Sequence, residues 1–178
     1  MAETMDFLFY CRDKPDVGAL LERHVEAHWS FMDAYADRLL IRGPTLSDDG
    51  EEHTGSLHIV RLDDVAETET FAYQEPFFQA GVYGAMTIRR WQDRLGRSIR
   101  DFPPVGGDPL FLAIGPGTPD LAKLRDRCAA YGWTKALDET KWSGFAAILQ
   151  APSPDSVHGI LPYTPAAEVR RWRIGGRS

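Results

Sequence analysis

Apolar and polar positions along this chain change their spacing several times, and each change marks an element. Residues 6–11, "DFLFYC", are short, apolar and aromatic, and the polar "RDKPD" stops them; they read as a buried strand. Leu21, Val25, His28, Met32 and Tyr35 then recur at steps of four, three, four and three, the stripe of a helix facing a core. Asp16 is placed to cap that helix, and the pattern carries it to about Asp37. Residues 38–43 predict a second strand, residues 43–55 a turn-rich loop, and residues 56–62 a third strand. Asp63 or Asp64 caps a second helix over residues 65–75, which Pro76 helps to end. Residues 77–91 then give a turn and a fourth strand.

The order strand–helix–strand–strand–helix–strand predicts a ferredoxin-like unit, an antiparallel sheet with its helices on one face. The Pro- and Gly-rich residues 99–108 read as a linker, after which the pattern restarts. "PLFLAIG" echoes the first strand, "TPDLAKLRDRCAAYG" (118–132) predicts a helix and "WTKAL" (133–137) a strand. "AAEVRRW" echoes "AMTIRRW" in the closing strand, and "WSGFAAILQAPSPDSV" echoes the Gly-led third strand with its acids. The fold class expected is therefore α+β: a unit over 1–98, a linker over 99–108 and a degenerate second unit over 109–178. The bare sheet faces bury each other in an intrachain pseudo-dimeric α+β barrel.

Charge narrows the partners. The net charge is −6, and the basic residues are scattered or gathered in short groups such as Arg89-Arg90 and Arg170-Arg171, which read as surface stripes. A nucleic-acid partner is not expected. No run approaches the ~18 apolar residues of a membrane span, so no membrane partner is expected either. The start, "MAETMDFLFYCRDK", lacks a basic leader region, and Cys11 and Cys128 read as reduced, buried thiols. The cytoplasm is the expected location.

Candidate chemistry centres on His28. A ring on the apolar stripe needs a hydrogen-bond partner or costs about 1–3 kcal/mol. Glu75, at the end of the neighbouring helix, is a natural one. The pair is either a satisfied core histidine or a general base with its orienting carboxylate. His24 and His28 have zinc-compatible spacing, but no third ligand follows at a recognisable spacing, so no metal is expected. His53 adds little, and His58 alternates with Leu57 and Ile59, which points it toward the barrel interior. Tyr10, Trp29 and Phe77 are candidate pocket walls, and Arg42 a holder for an anionic or phenolic oxygen. "GPGTPD" (115–120) reads as a turn into a helix, without a phosphate-loop Lys.

The first half resembles the YCII-related family of the dimeric α+β barrel superfamily. The matching stretches are "FLFYCRDKPD", "EAHWSFM", "LLIRGPTLSDDG", "TGSLHIV" and "FAYQEPFFQAGVYGAMTIRRW". The resemblance implies the fold, a small-molecule pocket, and an active pair of a His with the Asp of an Asp-Pro motif. Here these positions are His28 and Glu75. It also implies chemistry of the kind known in the family, dehydrochlorination of a chlorinated hydroxyquinol.

The function expected is cofactor-free proton transfer, an isomerisation or elimination, on a small cyclic or aromatic substrate. His28 and Glu75 act, and Tyr10, Trp29, Arg42, His58 and Phe77 bind. A non-catalytic binding or accessory protein is the alternative. The second half offers no histidine on its expected helix, and Ser156 stands at the offset of Glu75 from Trp91, so one site per chain is expected. A homo-oligomer is left open.

Overall fold

A computed structural model describes residues 4–103, 106–120, 124–161 and 164–177. In chain order the elements are β1 (Met5–Asp13), α1 (Gly18–Ala34), β2 (Leu39–Leu46), β3 (His53–Leu62), α2 (Ala66–Gln74), α3 (Pro76–Gln79), β4 (Tyr83–Asp93), β5 (Leu110–Pro116), β6 (Cys128–Lys135), β7 (Gly144–Gln150), α4 (Pro154–Ile160) and β8 (Glu168–Trp172). A single 3₁₀ turn, Ile99–Asp101, lies between β4 and β5.

The strands close into one antiparallel barrel in the order β1-β3-β2-β8-β5-β7-β6-β4. The order β4-β1-β3-β2 in the first half recurs as β8-β5-β7-β6 in the second. The strands of the two halves surround a shared interior, but where two separate facing sheets were expected their edges are joined into one continuous closed sheet. One seam pairs Thr45 and Leu46 of β2 with Trp172 and Arg171 of β8. The other pairs Arg90–Asp93 of β4 with Lys135–Gly132 of β6. Closure removes the exposed edges that two separate sheets would leave.

Period-two alternation decides what enters the barrel. Leu8, Tyr10, Leu57, Ile59 and Trp91 point inward from the first half and meet Leu112, Ala130, Ala146, Ile148 and Trp172 from the second. The opposite faces of the same strands carry Phe7, Phe9 and Val60, which pack with Met32 of α1 and Phe71 of α2.

The repeated Arg-Arg-Trp marks the seams. Trp172 donates its indole N–H to the Gly43 carbonyl at 3.1 Å, and Cβ on Gly43 would fall 2.7 Å from that ring. Trp91 lies over Gly132 in the same way, where Cβ would fall 2.4 Å from the ring. Each tryptophan thus packs on a glycine of the strand across its seam. The neighbouring arginines are not a plain surface stripe. Arg171 donates to the Asp48 carbonyl, Arg97 to the Cys128 and Arg125 carbonyls, and the Arg94 guanidinium lies 4.0 Å from the centre of the Trp133 ring.

Several local expectations shift. Asp16 does not cap α1; it takes a left-handed φ of 59°, and Val17 begins the helix without a side-chain cap. The helix ends at Ala34 rather than near Asp37. Asp64 does accept the Glu67 N–H at 2.9 Å. β2 and β3 extend into the expected loop as far as Leu46 and back to His53.

The largest departure is the helix expected over 118–132. Among its described residues, 118–120 and 124–127 form no α-helix, and Cys128–Gly132 belong to β6. Alanines favour helix, but here the "CAAYGWTK" segment has its backbone groups satisfied by β7 and β4 on either side. Sheet pairing overrides local propensity. Residues 121–123 of that helix, 104–105 of the linker and the first three residues of the N-terminal run lie outside the described residues. No described helix is long and apolar enough to cross a membrane.

Candidate active site

The chain between α2 and α3 is where the site begins. Glu75 ends α2 in an extended conformation and starts α3 as its N-cap, with Pro76 in the first turn. Proline suits that position because its missing N–H has no helical partner there. The Glu75 carboxylate accepts the Phe77 N–H at 3.1 Å and the Phe78 N–H at 2.9 Å. Its orientation is therefore set by backbone.

The same carboxylate reaches His28. Glu75 Oε1 lies 2.5 Å from His28 Nδ1, and the two side chains are 4% and 11% exposed. The added methylene of Glu, relative to the Asp of the resemblance, still lets one group cap α3 and hold the imidazole. Phe77 stacks on the ring at 4.2 Å with an interplanar angle of 10°. With Nδ1–H donating to the carboxylate, the ring's lone pair is left at Nε2.

His28 borders a cavity of about 740 Å³ between α1, the β2–β3 hairpin and the C-terminal tail. Trp29, Arg42, His58 and Phe77, all expected at the pocket, line it. His58 reaches it from the helix-covered face of the sheet, not from the barrel interior as its alternation had suggested. Leu57 and Ile59 are the inward residues, and the His58 ring lies 5.6 Å from His28 and 6.3 Å from Phe71. Burial, then the neighbouring charges of His28, Arg42 and His53, pushes the His58 imidazolium well below its usual range.

Tyr10 is the misplaced candidate. Its side chain points into the barrel, away from His28, and donates to Glu168 Oε1 at 2.9 Å. It lines a separate cavity of about 520 Å³ with Arg12 and Glu168. Burial pushes Glu168 up, but hydrogen bonds from Arg12, Arg170 and Tyr10 outweigh it and hold the carboxyl at about 2. A one-residue change of position along β1 selects the opposite face, and the sequence alone did not say which face held the cavity.

Other participants had no visible signal. Ser56 and His53 line the cavity, and His53 Nδ1 lies 2.6 Å from Asp13 Oδ2. The tail residues Arg173, Ile174, Gly175 and Gly176 form a further wall, so the second half supplies part of a site expected from the first half alone. Arg177 ties the tail to α1 through Glu26 at 2.7 Å, Asp33 at 3.0 Å and the Ser30 hydroxyl at 2.9 Å. Arg42 pairs with Asp33 at 3.0 Å. Among the described residues no group of three or more His, Cys, Asp or Glu is arranged to hold a metal ion.

The second half differs at the matching place. Ser153, followed by Pro154, caps α4 by accepting the Ser156 N–H at 3.2 Å. The structural counterpart of Glu75-Pro76 is therefore Ser153-Pro154, not Ser156 as the spacing from tryptophan had suggested. Ser153 has no carboxylate to offer an imidazole.

No curated protein matches the chain. Chlorite dismutase from Candidatus Nitrospira defluvii, in complex with imidazole, superposes with a TM-score of 0.58 at 8% identity over 96% of this chain and 91% of that one. An anthrone oxidase-like protein gives 0.50 at 11% identity over 98% and 92%. Both share the α+β barrel fold. The 5-chloro-2-hydroxyhydroquinone dehydrochlorinase TftG from Burkholderia phenoliruptrix AC1100, in complex with 2,5-dihydroxybenzoquinone, is 28% identical over 49% of this chain and 94% of its own, with a TM-score of 0.47. The YCII-related domain model matches residues 5–92, the stretch that contributes β1 through β4 and both members of the His28–Glu75 pair, and this half of the chain belongs to the YCII-related family.

Proposed function

We propose that the protein is a small-molecule enzyme, a lyase or isomerase, that moves protons on a cyclic or aromatic substrate without a cofactor. The observation that carries this reading is the buried His28–Glu75 pair, closed at 2.5 Å beside a cavity. Glu75 fixes the tautomer and the orientation of His28, and His28 Nε2 takes or returns the proton. Trp29 and Phe77 offer flat apolar walls for a ring. Arg42 offers positive charge to an oxygen on it. His58, kept neutral by burial, serves as a hydrogen-bonding neighbour rather than a charge.

The architecture belongs to the same proposal. Two ferredoxin-like units, 1–98 and 109–178 with a linker between, fill the places of two subunits, and the second has become a degenerate copy that covers the first. The repeated strand order and the two tryptophan–glycine seams support this. Two buried, unbridged cysteines suit the cytoplasm.

The test is a panel of chlorinated and unchlorinated hydroquinones and hydroxyquinones, followed by ultraviolet absorbance and chloride release. His28→Ala is expected to lower the turnover rate by about 100-fold or more, and Glu75→Gln to lower it by less. A His28→Ala protein that keeps wild-type turnover would sink the catalytic reading. Tight binding of panel members with no turnover by wild type would favour the binding-protein alternative.

A further inference from the structure

The same cavity is bordered by a second histidine–carboxylate pair. His53 opens β3 and Asp13 closes β1, and they meet at 2.6 Å through His53 Nδ1, the nitrogen that His28 also uses. His53 is 24% exposed on its side chain and lines the cavity, whereas the Asp13 side chain is 4% exposed. Phe77 lies between the two pairs, stacked on His28 and edge-on to His53 at 6.2 Å.

The second pair joins β1 to β3 outside their backbone ladder. The β1–β3 ladder already runs from Met5↔Leu62 to Arg12↔Gly55, and the pair sits one step beyond its last rung. Asp13 Oδ1 is buried without a hydrogen-bond partner in the protein, which costs free energy. Such costs gather where a side chain is held for chemistry.

We propose that His53, oriented by Asp13, is a second proton-transfer residue of this cavity, working as acid while His28 works as base on a hydroxylated ring. This rests on the His28 reading. One group alone can take a proton; moving one between two atoms of a ring, without releasing an ion into an apolar site, needs a donor at the second atom. His28 Nε2 removes a ring O–H proton, and the O–H bond pair becomes the new C=O π bond. The ring C=C π pair then forms a C–H bond with the proton on His53 Nε2. The product is the keto tautomer, with one proton gained by His28 and one lost by His53. Exchange with water resets both, and nothing is oxidised or reduced. Arg42 and Arg173, on the cavity wall, supply positive charge for the oxygen while it is anionic. His53 is thus catalytic and Asp13 a positioning residue.

The probe is 1,2,4-trihydroxybenzene in anaerobic D₂O, with deuterium entering its ring carbons read by NMR. Wild type is expected to speed this exchange. His53→Gln and His28→Gln are each expected to lose about 100-fold or more of the exchange rate at saturating probe, with circular dichroism and calorimetric binding of the probe retained. Asp13→Asn should lower the exchange rate and leave KM near its wild-type value; if this buried substitution prevents folding, His53→Gln at the more exposed partner carries the test. A His53→Gln protein that exchanges within about threefold of wild type, while His28→Gln is inactive, would overturn the second pair and leave the first standing. An active His28→Gln would overturn both. Wild type that speeds no exchange would overturn the hydroxylated-ring class and this proposal with it.

Discussion

The two halves of the barrel share a strand order and differ in what they place on their outer faces. On the first half, α1 and the α2–α3 corner leave a cavity and set two histidine–carboxylate pairs against it. On the second half, Phe111, Tyr131, Phe145, Leu149, Val157 and Leu161 pack together on the outer face, and no α-helix among the described residues stands in the place of α1. The inner faces show the reverse relation. Both halves contribute to one core, which combines large residues such as Tyr10 and Ile59 with small ones such as Ala130 and Ala146. A set of strands that supplies half of a barrel core must keep its inner face apolar. Nothing requires the outer face to keep a cavity, so that is where the halves diverge.

Separating the halves is expected to have the largest effect. Leu8, Tyr10, Ile41, Leu57, Ile59 and Trp91 lose their cover if the chain is cut near Pro103, at about 1.5–3 kcal/mol each. That sum rivals the net stability of a whole domain. The first half alone should aggregate or pair with itself, seen by light scattering; a soluble, cooperatively folding monomer would show that the second half is not its missing face.

Next in size is the contrast between equivalent histidine substitutions. His28→Ala should abolish turnover of any substrate the panel identifies, whereas His158→Ala, on the exposed surface of α4, should leave it unchanged. Equal losses would place chemistry on both halves.

The seams offer a symmetric test. Trp91→Ala and Trp172→Ala are each expected to cost about 3–5 kcal/mol, read as the denaturant midpoint with an unchanged slope. The cavity-lining tail follows directly from the β2–β8 seam, so Trp172→Ala should also loosen the tail and weaken ligand binding, an effect Trp91→Ala should lack. If both variants bind alike, the tail is not held by its seam.

The smallest effects are in pH. His58 is held below its unfolded value of about 6.5, so its contribution is present above that pH. It is lost as pH falls from there toward the lower folded value. Glu168 is held at about 2, so its contribution is present above the unfolded carboxyl value near 4.5 and lost as pH falls from there to about 2. Melting temperatures of Glu168→Gln should run parallel to wild type above pH ~5 and lose less below it; identical slopes would mean that the Arg12–Glu168 link between the halves carries no stability.

Much of this molecule is legible in local pattern. The apolar runs of β1, β3 and β7 and the stripe through Leu21, Val25, His28 and Met32 follow from which atoms must leave water, and that constraint acts on each segment separately. The His28–Glu75 pair was legible for the same reason: a polar ring on an apolar stripe requires a partner, and a carboxylate ended the next helix. What depends on contacts distant in sequence was not. Residues 128–132 became strand because β7 and β4 were available to pair with them. Tyr10 faced Glu168 and His58 faced His28 because barrel closure decided which side of the sheet is core. His53, held by Asp13, and the tail from Arg173 to Gly176 meet at one cavity only because β1, β3 and β8 converge there. Burial acts locally and is written residue by residue, whereas the company a residue keeps across a closed sheet exists only once the sheet has closed.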